Sequence, residues 1–159
     1  MPPLSQLSQT LRSFILNLPS AKIVLPYSSM IEVLPFATPL KLENVPSWVV
    51  GTLLWRSLNV PLIALDRLIH EVETEIDAYT RIVMINTLGD DPQLPYLGLL
   101  VTDAPRLTSL GRMDVILDKT AKSTVQTGVL SWVIVRQEPA IIPDISAIEQ
   151  VLSTLLHHR

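Results

Sequence analysis

The chain has 159 residues, of which 48% are hydrophobic and only 17% charged, with a net charge of −3. That length fits one domain, or two small subdomains on a shared core, and the apolar content is ample to fill it. The acidic balance excludes the clustered Lys and Arg that nucleic-acid phosphates require; the absence of cysteine excludes disulfides, a thiol nucleophile and thiolate metal sites.

The opening, MPPLSQLSQTLRSFILNLPS, has no basic region leading into a sustained apolar stretch, so it does not read as a signal peptide. No later run approaches the roughly 20 apolar residues of a membrane span, and a cytoplasmic protein is expected. A mean hydropathy of +0.37 is high for such a protein. It implies either a large core or apolar surface kept for a partner.

Thirteen prolines punctuate the chain. Between them lie short runs rich in Val, Ile and Leu: SFILNLP, AKIVLP, IEVLPFATP, NVPLIAL, RIVMIN, LPYLGLLVTDAP, VLSWVIV and AIIP. Runs of this kind, bounded by Pro, Gly, Asn or Asp, predict many short strands in a barrel or sandwich. Proline donates nothing to a central ladder, so it is expected at strand ends or edges. The stretch from Leu88 to Pro95 reads as a hairpin loop, with Asp90, Asp91 and Pro92 setting the turn. Short helical turns fit PSWVVGTLL and ALDRLIHEV.

One longer helix is predicted, over about 146–156, where Ile148, Val151, Leu152, Leu155 and Leu156 form a single apolar stripe. Ser146 and Glu149 fit a capping box at its start. Two segments of equal length echo one another: RSLNVPLIALDRL (Arg56 to Leu68) and RQEPAIIPDISAI (Arg136 to Ile148). Each runs from an arginine through a turn and an apolar strand into a helix start, as two related small barrels would.

Catalytic signatures are missing: no G-x-S-x-G elbow, no P-loop, no G-x-G-x-x-G. His157 and His158 read as a solvated tail and His70 as a surface residue. Glu71, Glu73 and Glu75 alternate, which fits a solvated edge better than a metal site. Asp90 and Asp91 lack calcium-loop spacing. No catalytic residue, metal ligand or cofactor-binding residue is assigned, no cofactor is expected, and the chain is not expected to be an enzyme. A ligand-binding module with a pocket between subdomains would need convergent ionisable groups, and no residues that build one stand out.

The order of the remaining motifs resembles the CheW-like domain of bacterial chemotaxis coupling proteins. That family runs through a strand, "ALP" and a helical turn into "V.EV", then "P.WV.GV.NLRG.VVPVIDL..L". The matching positions here are Leu25, Pro26, Glu32 and Val33, then Pro46, Trp48, Val49, Gly51, Arg56, Val60, Pro61 and Leu65. RIVMIN…YLGLLVTDAPRL is similar to the family's "VVVV…VGLLVD.V..V" hairpin, and the C-terminal segment falls where the family has its last strands and helix. The chain departs from the pattern at Ser57, where glycine is usual, at Ala64, where aspartate is usual, and in a longer loop around Asp90.

The resemblance implies a mainly β protein: two SH3-like five-stranded barrel subdomains sharing a core, with short helices and a C-terminal helix. It places a tail at 1–12 and a single CheW-like domain at 13–156. It further implies a non-catalytic adaptor linking a methyl-accepting receptor's cytoplasmic tip to the regulatory domain of a CheA-type histidine kinase, in a chemosensory system for chemotaxis or type IV pili. Other CheW-like proteins are further partners, and a scaffold that meets the kinase or another CheW-like protein without receptor contact is the alternative. Partner contact is expected at Arg56, Ser57 and Glu32, with Met30 and Ile31 either apolar contacts or plain core. Trp48, Trp55 and Trp132 are expected to pack inside, and Gly51 and Pro61 to shape the backbone.

Overall fold

The computed structural model describes residues 10–121 and 126–157. The elements are β1 (Thr10–Asn17), β2 (Lys22–Pro26), a 3-10 turn (Tyr27–Ser29), β3 (Met30–Pro35), β4 (Val49–Trp55), β5 (Leu58–Ile63) and α1 (Leu65–His70). Then follow β6 (Arg81–Asn86), β7 (Tyr96–Val101), β8 (Arg106–Gly111), β9 (Val115–Leu117), β10 (Val129–Val135), β11 (Glu138–Pro143) and α2 (Ile145–His157). Strand β1 takes in Thr10 to Arg12, which the sequence places in the tail. PSWVVGTLL holds a single turn at Ser47 and Trp48, closed by the Val49 N–H on the Pro46 carbonyl (3.0 Å), and then continues as β4, where its apolar residues serve two sides of a sheet.

The strands form two sheets, β8-β1-β2-β11-β10-β9 and β3-β6-β7-β5-β4. The fold is thus mainly β with one long C-terminal helix, as expected, and each sheet curls around its own interior. Val60, Leu62, Ile82, Met84 and Leu100 fill the five-stranded one; Val24, Leu110, Val133, Val135 and Ala140 fill the other. Between the two lies a common core, with Leu16, Ile23 and Leu25 from one sheet, Ile63, Val83, Ile85, Leu97, Leu99 and Val101 from the second, and Ile148 and Leu152 from α2. Strands β6 and β7 are therefore apolar on both faces, which is why RIVMIN and YLGLLV read as continuous runs rather than alternating ones.

The echo between Arg56–Leu68 and Arg136–Ile148 is structural. Strand order β3-β6-β7-β5-β4 repeats as β8-β1-β2-β11-β10, with antiparallel pairs everywhere except the parallel pairs β5/β7 and β11/β2. Trp55↔Leu58 closes one hairpin and Val135↔Glu138 the other, and the bulge between Val49 and Gly51 recurs between Val129 and Ser131. Five strands thus match five. The sixth, the three-residue β9, covers β10 where the other half has a single bridge, Leu40↔Thr52, over β4. That bridge explains Gly51: a Cβ there would sit 2.3 Å from the Leu40 carbonyl oxygen. It also explains an in-strand proline, since both backbone groups of Thr52, opposite Pro61, bond Leu40.

Helix α2 starts differently from the expected capping box. The Asp144 side chain accepts the Ala147 N–H (3.0 Å), while Glu149 turns away and takes the N–H groups of Leu88 (2.7 Å) and Gly89 (3.0 Å). A buried carboxylate that accepts two backbone donors fixes the 88–95 loop to the helix. Asp91 fastens the middle of that loop, accepting from Ser153 (2.8 Å) and lying 2.8 Å from His157 Nε2.

Candidate interaction surface

Arg56 and Ser57 are the two turn residues of the β4–β5 hairpin, with φ of 50° and 63°. Positive φ at both positions marks a type I′ turn, whose twist matches that of the flanking strands. Neither residue is glycine, asparagine or aspartate. Each left-handed non-glycine residue costs about 1–2 kcal/mol, so the family's glycine at Ser57 is replaced at a cost in strain while positive φ is kept. Arg136 and Gln137 make the same turn, with φ of 47° and 74°.

The hairpin tip projects both side chains into solvent. The Arg56 guanidinium lies over the Trp55 ring, 4.2 Å from its centroid. The Trp55 indole N–H in turn donates to Glu32 Oε2 at 3.2 Å, and Tyr96 meets the indole edge-on at 5.1 Å. Glu32 is on β3 and Trp55 on β4, the two outer strands of the five-stranded sheet, so the indole bridges the barrel's seam. Two of the sequence-assigned residues, Arg56 and Glu32, meet through a third assigned to the core. Trp55 is half-buried; its indole N–H needs a partner, and the barrel mouth supplies both that partner and an apolar seat.

Among the described residues Arg56 makes no hydrogen bond, so its donor fork is open on the side away from Trp55. Leu54 and Leu58, 78% and 39% exposed, flank it on the same hairpin. An arginine resting over an aromatic ring is the side-chain pair from which protein interfaces draw their anchors, and the exposed leucines beside it add apolar surface. Met30 and Ile31 lie at the neighbouring bulge of β3, both half-buried, with Met30 packed against the common core. Met30 thus packs on the common core, a different cluster from the one that seats Trp55. Trp48 is buried as expected, and Trp132 is half-buried, 5.9 Å from the His70 ring.

His70 is exposed, with Nδ1 2.7 Å from the Ser20 hydroxyl, which also bonds Asp66. Among the described residues no group of three or more His, Asp or Glu could hold a metal ion, and no helix is long and apolar enough to cross a membrane.

Compared with known proteins, residues 13–152 match the family model described as CheW-like domain. The fold is similar to that of the scaffolding protein TtCheW from Thermoanaerobacter tengcongensis, with a TM-score of 0.70 over 85% of this chain and 84% of that one, at 16% identity. No curated protein matches by sequence. With its family model spanning nearly the whole described chain, and two interlocked barrels on a common core, this protein belongs to the CheW-like domain family.

Proposed function

We propose that the chain is an adaptor of a chemosensory array, joining a methyl-accepting receptor to a CheA-type histidine kinase and catalysing nothing itself. The family match over residues 13–152 carries this reading. The Arg56–Trp55–Glu32 patch supports it by offering an exposed, pre-set recognition element. Arg56 supplies the donor fork, Trp55 seats that fork over its ring, Glu32 fixes the indole, and Ser57 completes the turn that carries them. Met30 and Ile31 precede Glu32 on β3. Such an adaptor works by geometry: it fixes two partners at a set spacing so that the receptor's state reaches the kinase. It would work in the cytoplasm, associating with membranes only through receptors, with flagellar or pilus-driven motility as the output. A kinase-only scaffold gains no support at Ser57, since the hairpin keeps a type I′ turn without the family's glycine.

The test pairs the wild-type protein with Arg56→Glu, each immobilised and offered a kinase regulatory fragment and a receptor cytoplasmic fragment. Wild type is expected to retain both, and charge reversal to weaken at least one by tenfold or more. Failure of wild type to hold either fragment overturns the adaptor reading; retention of both by the variant overturns the role of Arg56 alone.

A further inference from the structure

The repeat permits a position-by-position comparison of the two barrel mouths, the openings beside the two arginine hairpins. Hairpin and strand registers map Trp55 onto Val135, Arg56 onto Arg136 and Leu58 onto Glu138. Leu62 lies opposite Gly98 in one parallel pair and Ile141 opposite Ile23 in the other, which maps Tyr96 onto Lys22 and Met84 onto Ile15. Glu32 pairs with Met84 and Arg106 with Ile15, so Glu32 maps onto Arg106.

The exchange is systematic. In the five-stranded barrel, an indole and a phenol plug the opening, with a carboxylate beside them. In the six-stranded barrel the plug is a valine and a lysine, and the carboxylate is an arginine. What the missing rings leave behind is a cavity of about 250 Å³. Its floor is apolar, from Ile15, Leu110, Val135 and Ala140, and its rim carries Lys22, Arg106 and Arg136 against one carboxylate, Glu138. Lys22 pairs with Glu138. Arg136 is held by Thr108 Oγ1 (2.9 Å), the Ser109 carbonyl (2.6 Å) and Asp114 (3.4 Å). Arg106 has no hydrogen-bond partner among the described residues. Glu138 is held below the ordinary carboxylate range, first by Lys22 and also by the charge of Arg106, as a net-positive opening requires.

We propose that the mouth of the six-stranded barrel is a binding site for a small organic anion, whose apolar ring or branched body fills the place of the missing plug while its carboxylate or phosphate meets Arg106 and Lys22. Burying the body recovers apolar contact that the open mouth lacks. Charge complementarity at the rim selects an anion over its neutral analogue. This site lies on the other barrel from the Arg56 patch and does not depend on the adaptor reading.

The experiment titrates the full chain with phenylacetate, following amide resonances of Ile15, Thr108 and Ala140, with phenylacetamide and inorganic phosphate as separate arms. Saturable shifts at these residues are expected with phenylacetate, with at least tenfold weaker response to the other two probes. Arg106→Gln, an exposed change that leaves the fold intact, is expected to weaken phenylacetate at least fivefold. Val135→Trp, which installs the other barrel's plug, is expected to abolish binding; should that variant not fold, Arg106→Gln decides alone. Absence of saturation, equal binding of phenylacetamide or phosphate, or an Arg106→Gln response equal to wild type each overturns the site.

Discussion

The β4–β5 and β10–β11 hairpins share a register, a bulge and a pair of left-handed turn residues, yet their arginines have opposite surroundings. Arg136 donates to Thr108, to the Ser109 carbonyl and to Asp114, joining its hairpin to β8 and to the turn that follows it. Arg56 rests on the ring of its own neighbour and leaves its donors open. The repeat places an arginine at both tips; what differs is whether the barrel has a second use for it. In one half the guanidinium closes the structure. In the other an indole closes it, and the guanidinium remains available to a partner.

That comparison can be broken most severely at the bulge. Gly51→Ser, which installs the residue of the equivalent position 131, should cost about 3 kcal/mol in urea unfolding, because its Cβ has no room beside Leu40. Ser131→Gly should cost about 1 kcal/mol or less by the same assay. Next come the arginines. Arg136→Ala should lose about 1–2 kcal/mol of stability through its charged hydrogen bonds, and Arg56→Ala about 0.5–1 kcal/mol through the ring contact, whereas partner binding should suffer in the reverse order. Equal effects on stability would show that Arg56 is structural after all.

Turn strain gives a smaller effect, shared by both halves. Ser57→Gly and Gln137→Gly should each stabilise by about 1 kcal/mol, raising the thermal midpoint by about 2–4 °C; a gain at only one site would mean the two turns are not equivalent. The smallest effect is acid sensitivity. Asp114 is held below its ordinary 3.8 by the Gly111 N–H first and by Arg136 besides. A depressed carboxylate stabilises the fold above its unfolded value, and that contribution disappears as pH falls through the folded one. Asp114→Asn should therefore flatten the loss of stability below about pH 4, read from urea unfolding across that range.

Much of this architecture was legible in local pattern. Proline-bounded runs marked most strands, the stripe from Ile148 to Leu156 marked α2, and the two arginine segments announced the repeat. Residues whose role depends on distant chain were not legible. Trp55 reads as core because nothing local reveals that Glu32, on the far edge of the sheet, waits for its indole N–H. Glu149 reads as a helix cap because its true partners, the amides of Leu88 and Gly89, lie in a loop far upstream. Val115 to Leu117 are too few to announce a strand, and β9 exists only because β10 offers an open edge. The open mouth of the six-stranded barrel was equally hidden, since Lys22, Arg106 and Val135 become neighbours only through pairing register.

The sheet order also sets a schedule for synthesis. Strands β3 to β7 lie within residues 30–101 and can close their barrel while the chain is still emerging. The first two strands cannot finish theirs: Ile23 must wait for Ile141, at the opposite end of the chain. Until β11 leaves the ribosome, β8, β1 and β2 can pair only with one another and their barrel stays open, so the half carrying Arg56 is complete before the half carrying Arg136 can close.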